Sequence, residues 1–227
     1  MTRKGGEYIA ENSGHPLYLS PEAQEYVRLR FNELAVCAGS YDMLVFLDRS
    51  ARALYPGLRD VMRSNGTAMP LIRFLNYGTE KTWKVFWNSE KTMNNAVSNP
   101  LVLTDFLSVL PENSLEHLHK LLYLDEPIRR LIIDEMTISG ATQYTLQALL
   151  NALSYEGKID FTSFIKPDKN HLFIRYDKQP ALFLTSSSMF GSNNSENPLQ
   201  IKPPQEDYRR RREEIRQALH TLAIAKT

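Results

Sequence analysis

The chain has 227 residues, enough to bury a sizeable core within one domain or a domain with an appended tail. Apolar residues make up 42% and charged residues 23%, the balance of a folded globular protein rather than a disordered or membrane-embedded one, and a net charge of +1 gives no overall pull toward nucleic acid or an anionic membrane. The single Cys37 leaves no internal disulfide, and a zinc site would have to be assembled from five scattered histidines and carboxylates, so a reducing compartment is expected.

Residues 1–19 are polar and glycine-containing and read as a loose lead-in. They hold no apolar run of signal-peptide length, and no stretch of the chain approaches the roughly 20 apolar residues of a membrane span, so a cytoplasmic protein is expected. The triplets Asn65-Gly66-Thr67 and Asn193-Asn194-Ser195 fit the glycosylation pattern but carry meaning only with secretion. Ser20-Pro21 opens a helix with Pro21 at its first position, and Ala23, Tyr26, Val27, Phe31, Leu34 and Ala35 recur at three- and four-residue spacing until Ala38-Gly39.

Residues 43–47, MLVFL, form the continuous apolar run expected of a central strand covered on both faces, and the run stops at Asp48-Arg49-Ser50-Ala51-Arg52. A helix is predicted over residues 53–64, with Leu54, Leu58, Val61 and Met62 inward and Asn65-Gly66 as its stop; residues 70–74, PLIRF, read as the next strand. Strand, helix and strand in so short a span make a βαβ unit and hence a parallel sheet. Residues 76–100 are polar, with Trp83, Phe86 and Trp87 embedded and no clean period, and read as an insertion or flap.

A short helix is predicted over 115–124, a strand over 128–133 and a helix over 142–153 with Leu146, Leu149, Leu150 and Leu153 on one face. Residues 160–165, 171–176 and 181–184 are candidate strands, and 186–204, rich in Ser, Asn and Pro, reads as a linker. The last segment, 205–227, is predicted as a charged helix with a narrow stripe of Ile215, Ala218, Leu219 and Leu222 that can dock on the domain or on a partner.

The chemistry concentrates in residues 131–142, LIIDEMTISGAT. A buried strand runs into the adjacent pair Asp134-Glu135, and Ser139, Gly140, Ala141 and Thr142 lead into a helix. Such a carboxylate pair can hold the hydroxyls of a sugar, and backbone N–H groups of the turn can wrap a phosphate at the helix N-terminus. The plainer alternative is a solvated strand end followed by an ordinary capped turn.

This segment resembles the phosphoribosyl-diphosphate (PRPP) binding motif of the type I phosphoribosyltransferases. That pattern is an apolar run, two acidic residues, a short apolar spacer, then Thr-Thr-Gly-x-Thr. Leu131, Ile132 and Ile133 match the run, Asp134 and Glu135 the acidic pair, and Ser139, Gly140 and Thr142 the last hydroxyl, the glycine and the closing threonine. Ile138 stands where the family has its first threonine, with Thr137 one place earlier.

The resemblance implies that Asp134 and Glu135 are catalytic, holding the ribose hydroxyls, lying near Mg²⁺ through ribose or water and able to aid proton transfer to an incoming base, with residues Thr137, Ile138, Ser139, Gly140, Ala141 and Thr142 around the 5-phosphate. It also implies a diphosphate loop at Arg49, Ser50, Ala51 and Arg52, although this loop lacks the usual glycine. On the residues alone the same loop can be a helix N-cap with solvated arginines. The flap at 76–100 falls where the family carries a hood, and there Lys81, Lys84 and Lys91 can face a diphosphate and Trp83 or Trp87 can stack on a base or anchor a subdomain.

Other features are bland. His117 and His119 lie two apart, on different sides of a helix, which is poor metal geometry. Arg209 to Arg212 are followed by Glu213 and Glu214 at salt-bridge spacing, which favours a solvated face over a nucleic-acid surface.

The expected architecture is therefore an α/β domain over 20–185, a three-layer Rossmann-like open and mainly parallel sheet of phosphoribosyltransferase type, with 76–100 as a hood and a C-terminal charged helix. The expected activity is transfer of a phosphoribosyl group from PRPP, or from a nucleoside 5′-phosphate in reverse, to or from a base-like acceptor with Mg²⁺. Pairing into a homodimer is left open. The rivals are a non-catalytic PRPP or nucleotide sensor and a structural scaffold.

Overall fold

A computed structural model describes residues 7–8, 18–47, 51–75, 112–136, 143, 146, 147, 150, 155, 157–172 and 206–224. Within the lead-in, β1 (Glu7–Tyr8) and β2 (Tyr18–Leu19) pair antiparallel. Helix α1 (Pro21–Ala38) then begins as predicted, with the Ser20 hydroxyl accepting the Ala23 N–H at 3.1 Å and Pro21 in the first turn, where its missing donor costs nothing.

The sheet is built from β3 (Met43–Leu47), β4 (Leu71–Leu75), β5 (Arg130–Met136) and β6 (Ile159–Ile165), all parallel, in the order β4-β3-β5-β6. Between β3 and β4 a short 3₁₀ turn (Arg52–Leu54) runs into α2 (Tyr55–Ser64), so the expected βαβ unit is present. Gly66, at φ +67°, takes the left-handed position that ends α2 at little cost. Helix α3 (Glu112–Leu122) precedes β5, and α4 (Glu206–Ile224) closes the described chain.

Several boundaries differ from expectation by a few residues, and two of the differences have a clear physical cause. β5 runs on through Asp134 and Glu135 because β6 keeps pairing with it, Asp134 opposite Ser163 and Met136 opposite Ile165. His171 and Leu172, read as the start of a strand, instead close a 3₁₀ helix (Pro167–Leu172), since Pro167 cannot donate to a ladder and Lys169 N–H turns back to the Lys166 carbonyl at 2.9 Å. Residues 173–176, 181–184 and the linker at 186–204 lie outside the described residues.

Alternation along the strands divides the interior into two cores. Leu44, Phe46, Leu131 and Ile133 face α1, α2 and α4, whereas Met43, Val45, Leu47 and Ile132 face Leu118 and Leu122 of α3 and the helical residues Leu146 and Leu150. β3 is buried at every position, as its uninterrupted apolar run requires. The helices thus cover both faces of an α/β sheet.

The stripe on α4 docks on the domain itself. Ile215, Ala218, Leu219 and Ala223 are buried in the same core as α1 and α2, and burial of Ile215 and Leu219 is worth about 2 kcal/mol each at most. The approach is close at Gly57 of α2, where an added Cβ would meet Phe31 Cζ at 2.9 Å and Ala223 Cβ at 3.0 Å. Absence of a side chain, rather than backbone freedom, makes this glycine fit.

The first residue of β5 is a fully buried arginine. All five N–H groups of Arg130 are used: Nε donates to the Leu122 carbonyl at 2.6 Å, and the terminal nitrogens donate to the carbonyls of Tyr123, Glu126 (2.8 Å) and Ile128 (2.7 Å) and to the Tyr155 hydroxyl. The guanidinium carbon lies 5.1 Å from the Tyr155 ring centroid. Burial lowers the pKa of Arg130 from its ordinary value, against weaker support from Tyr155 and Glu126. Its grip also holds Tyr123 at φ 50°, a left-handed conformation that costs a non-glycine residue about 1 kcal/mol or more.

The amino ends of the strands are pinned to one another. Asp42 and Met43 N–H groups donate to the Arg129 carbonyl at 2.9 and 3.1 Å, the Asp42 carboxylate accepts the Arg129 N–H at 2.7 Å, and Tyr41 donates to Asp160 at 2.9 Å. Burial and the Asp160 carboxylate push the Tyr41 pKa up to about 12. Beside β6, α1 supplies side chains to its backbone: Arg30 donates to the carbonyls of Ser163 (2.9 Å) and Phe164 (3.0 Å), and the Tyr26 hydroxyl accepts the Lys166 N–H at 2.9 Å.

Substitutions at two positions test this packing. Gly57→Val is expected to lower the unfolding free energy by about 2–3 kcal/mol in urea denaturation, and Gly57→Ala to forfeit the gain of about 1 kcal/mol usual for that change in a helix. Arg130→Lys is expected to cost about 2–4 kcal/mol, because an ammonium has three donors for five acceptors arranged around a plane; an unchanged midpoint and slope would show the cage to be dispensable.

Candidate functional site

The order β4-β3-β5-β6 creates a switch point. From β3 the chain passes outward to β4 through α2 on one face of the sheet, whereas from β5 it passes the opposite way to β6 through the helical residues around Leu146 and Leu150 on the other face. Two connections that leave neighbouring strands in opposite directions open a crevice outside the carboxyl ends of those strands, the usual ligand position of open parallel sheets. The motif residues after β3 and at the end of β5 belong to these two connections.

On the β3 side, Ala51 is fully buried in the core that α1, α2 and α4 share. The guanidinium of Arg52 lies 5.3 Å from the centroid of the Phe74 ring on β4. Phe74 also meets Tyr55 edge-on at 5.7 Å and Phe46 at 5.7 Å, so the base of Arg52 is an aromatic cluster. Sequence reading placed Phe74 in a strand and left Tyr55 without a role; nothing in the periodicity reveals that they meet beside Arg52. Arg49 and Ser50 lie outside the described residues.

On the β5 side, Asp134 and Glu135 are successive residues of one strand, so their side chains project to opposite faces of the sheet. Asp134 is partly exposed, and its Oδ1 accepts the Glu135 N–H at 2.7 Å. Glu135 is 9% exposed. Thr137, Ile138, Ser139, Gly140, Ala141 and Thr142 lie outside the described residues, as does the hood at 76–100 with Lys81, Lys84, Lys91, Trp83 and Trp87. Among the described residues, no group of three or more His, Cys, Asp or Glu side chains is placed to hold a metal ion, and no helix is long and apolar enough to cross a membrane.

Behind the β3 loop, α4 packs against both the 3₁₀ turn Arg52–Leu54 and α2. A polar tie joins the helices: His220 Nε2 on α4 lies 2.6 Å from Asp60 Oδ2 on α2. The other oxygen of Asp60 accepts Arg59 Nε at 2.7 Å, with Arg63 at 3.8 Å. Arg59 first, then His220, holds the Asp60 carboxyl below its ordinary pKa despite partial burial.

A depressed folded-state pKa contributes stability above the unfolded value of about 3.9 and loses it as pH falls through the folded value. Asp60→Asn is therefore expected to lower stability at pH 7 by up to about 1 kcal/mol and to flatten the acid limb below pH about 4 in urea titrations at stepped pH. An unaltered acid limb would remove Asp60 from the linkage.

Comparison with protein-family models, with curated proteins and with solved structures finds no match for this chain.

Proposed function

We propose that this protein binds PRPP, or a nucleoside 5′-phosphate in the reverse direction, in the crevice between the ends of β3 and β5, and that it transfers the phosphoribosyl group to or from a base-like acceptor. The observation that carries the reading is the switch point: the two segments singled out for sugar-phosphate chemistry arise from adjacent parallel strands whose connections diverge to opposite faces. In this reading the finer architecture is a Rossmann-like sheet of phosphoribosyltransferase type, working in the cytoplasm.

Asp134, partly exposed at the strand end, accepts hydrogen bonds from the ribose hydroxyls. Glu135, buried and on the other face, orients the strand end more than it touches the sugar. Residues Thr137 to Thr142 supply donors to the 5-phosphate, and Arg49 and Arg52 face the diphosphate, with Arg52 oriented by Phe74. Mg²⁺ suits this donor set, since it takes oxygen ligands, keeps several waters and draws others from substrate phosphates, so that Asp134, with Glu135 behind it, can hold it through ribose or water. When bound it neutralises charge on the departing diphosphate.

A second reading is a non-catalytic PRPP or nucleotide sensor. The full burial of Ala51 in a loop without glycine favours it, because such a loop limits how closely the backbone approaches a diphosphate. One assay separates the two. With labelled PRPP, Mg²⁺ and a panel of bases, the enzyme reading expects diphosphate release that Asp134→Asn reduces on the order of 100-fold. Binding without turnover, seen as a rise in Tm, supports the sensor; no shift in Tm even at high PRPP would sink both.

A further inference from the structure

We infer that the carboxyl-terminal helix α4 positions the segment 51–58 that follows β3, with His220 on Asp60 as its latch. Three observations meet here. Ala51, Ala53 and Leu54 of that segment share one core with Ile215, Ala218, Leu219 and Ala223 of α4, so the segment is packed from behind by residues far away in the chain. Gly57, only a few residues after Arg52, brings α2 against Ala223, where a methyl group already has no room. Finally, His220 and Asp60 link the two helices through a 2.6 Å contact whose side chains are both partly exposed, outside the apolar seam.

The apolar seam resists change because its groups are fully buried, whereas the latch can be altered without opening a cavity. Asp60 is shared with Arg59 and Arg63 from its own helix, so the carboxylate remains charge-balanced when His220 is removed, and what is lost is the link between helices. A ligand that orders this segment must tighten α4 by the same factor as α4 tightens the ligand. This last step rests on the phosphoribosyl reading; the positioning of the segment by α4 does not.

Hydrogen exchange on the full chain tests the inference. Without ligand, His220→Ala is expected to raise exchange about threefold or more in residues 215–224 and 51–58 together, with residues 131–136 and 159–165 unchanged. His220→Gln, which keeps an amide donor, is expected to restore most of the protection. Faster exchange in 215–224 alone, a uniform rise that includes β5 and β6, no change anywhere, or equal loosening in the Gln variant would each overturn it.

With PRPP and Mg²⁺ on the wild-type protein, slower exchange in 215–224 supports the coupling. A rise in Tm without that protection overturns it. Absence of any rise in Tm refutes the phosphoribosyl reading instead, and the ligand-free comparison then decides the role of α4 by itself.

Discussion

Arg130 places a permanent positive charge in the interior, and its described hydrogen-bond partners are four backbone carbonyls and one hydroxyl rather than a carboxylate. Desolvating a guanidinium is costly unless every donor is satisfied, so the surrounding backbone has little freedom. The carbonyls of Leu122, Tyr123, Glu126 and Ile128 must converge on one plane, which fixes the end of α3, the left-handed Tyr123 and the entry into β5 together. β5 is a central strand and it carries the acidic pair at its far end. The strand that carries the acidic pair is thus anchored by a charge buried at its opposite end.

The two ends of the sheet are built by different physics. At the amino ends, backbone and side-chain bonds from Asp42, Arg129, Tyr41 and Asp160 tie neighbouring strands together. At the carboxyl ends the connections diverge, and the groups found there are an arginine resting on an aromatic cluster and a carboxylate partly open to solvent. Rigidity at the amino ends fixes the strands that carry these groups. Helix α4 extends the same principle, packing Ile215, Ala218, Leu219 and Ala223 behind the 3₁₀ turn and α2 in a seam that a single methyl at Gly57 would crowd.

Legibility followed the range of the interactions. The Ser20-Pro21 start of α1, the buried run of β3 and the Gly66 stop of α2 were readable because each is decided within a few residues, by a cap, an apolar run or a left-handed turn. The end of β5 was not: its apolar run stops at Ile133, yet pairing with β6 carries the strand through Asp134 and Glu135. That extension sends the two carboxylates to opposite faces, a distinction invisible in the adjacent letters DE. The aromatic cluster under Arg52 was equally hidden, since Phe46, Tyr55 and Phe74 come from three elements.

The sequence by itself determined the parallel βαβ core and the existence of an amphipathic C-terminal helix, because hydrophobic period and turn chemistry are local properties. Only the tertiary structure decided the strand order that makes β3 and β5 neighbours at a switch point, the burial of Arg130 within a cage of carbonyls, and the docking of α4 on α1 and α2. Those depend on which surfaces meet across long stretches of chain. The stripe of Ile215, Leu219 and Leu222 specified that something must cover it, and the groove beside Gly57 selected what.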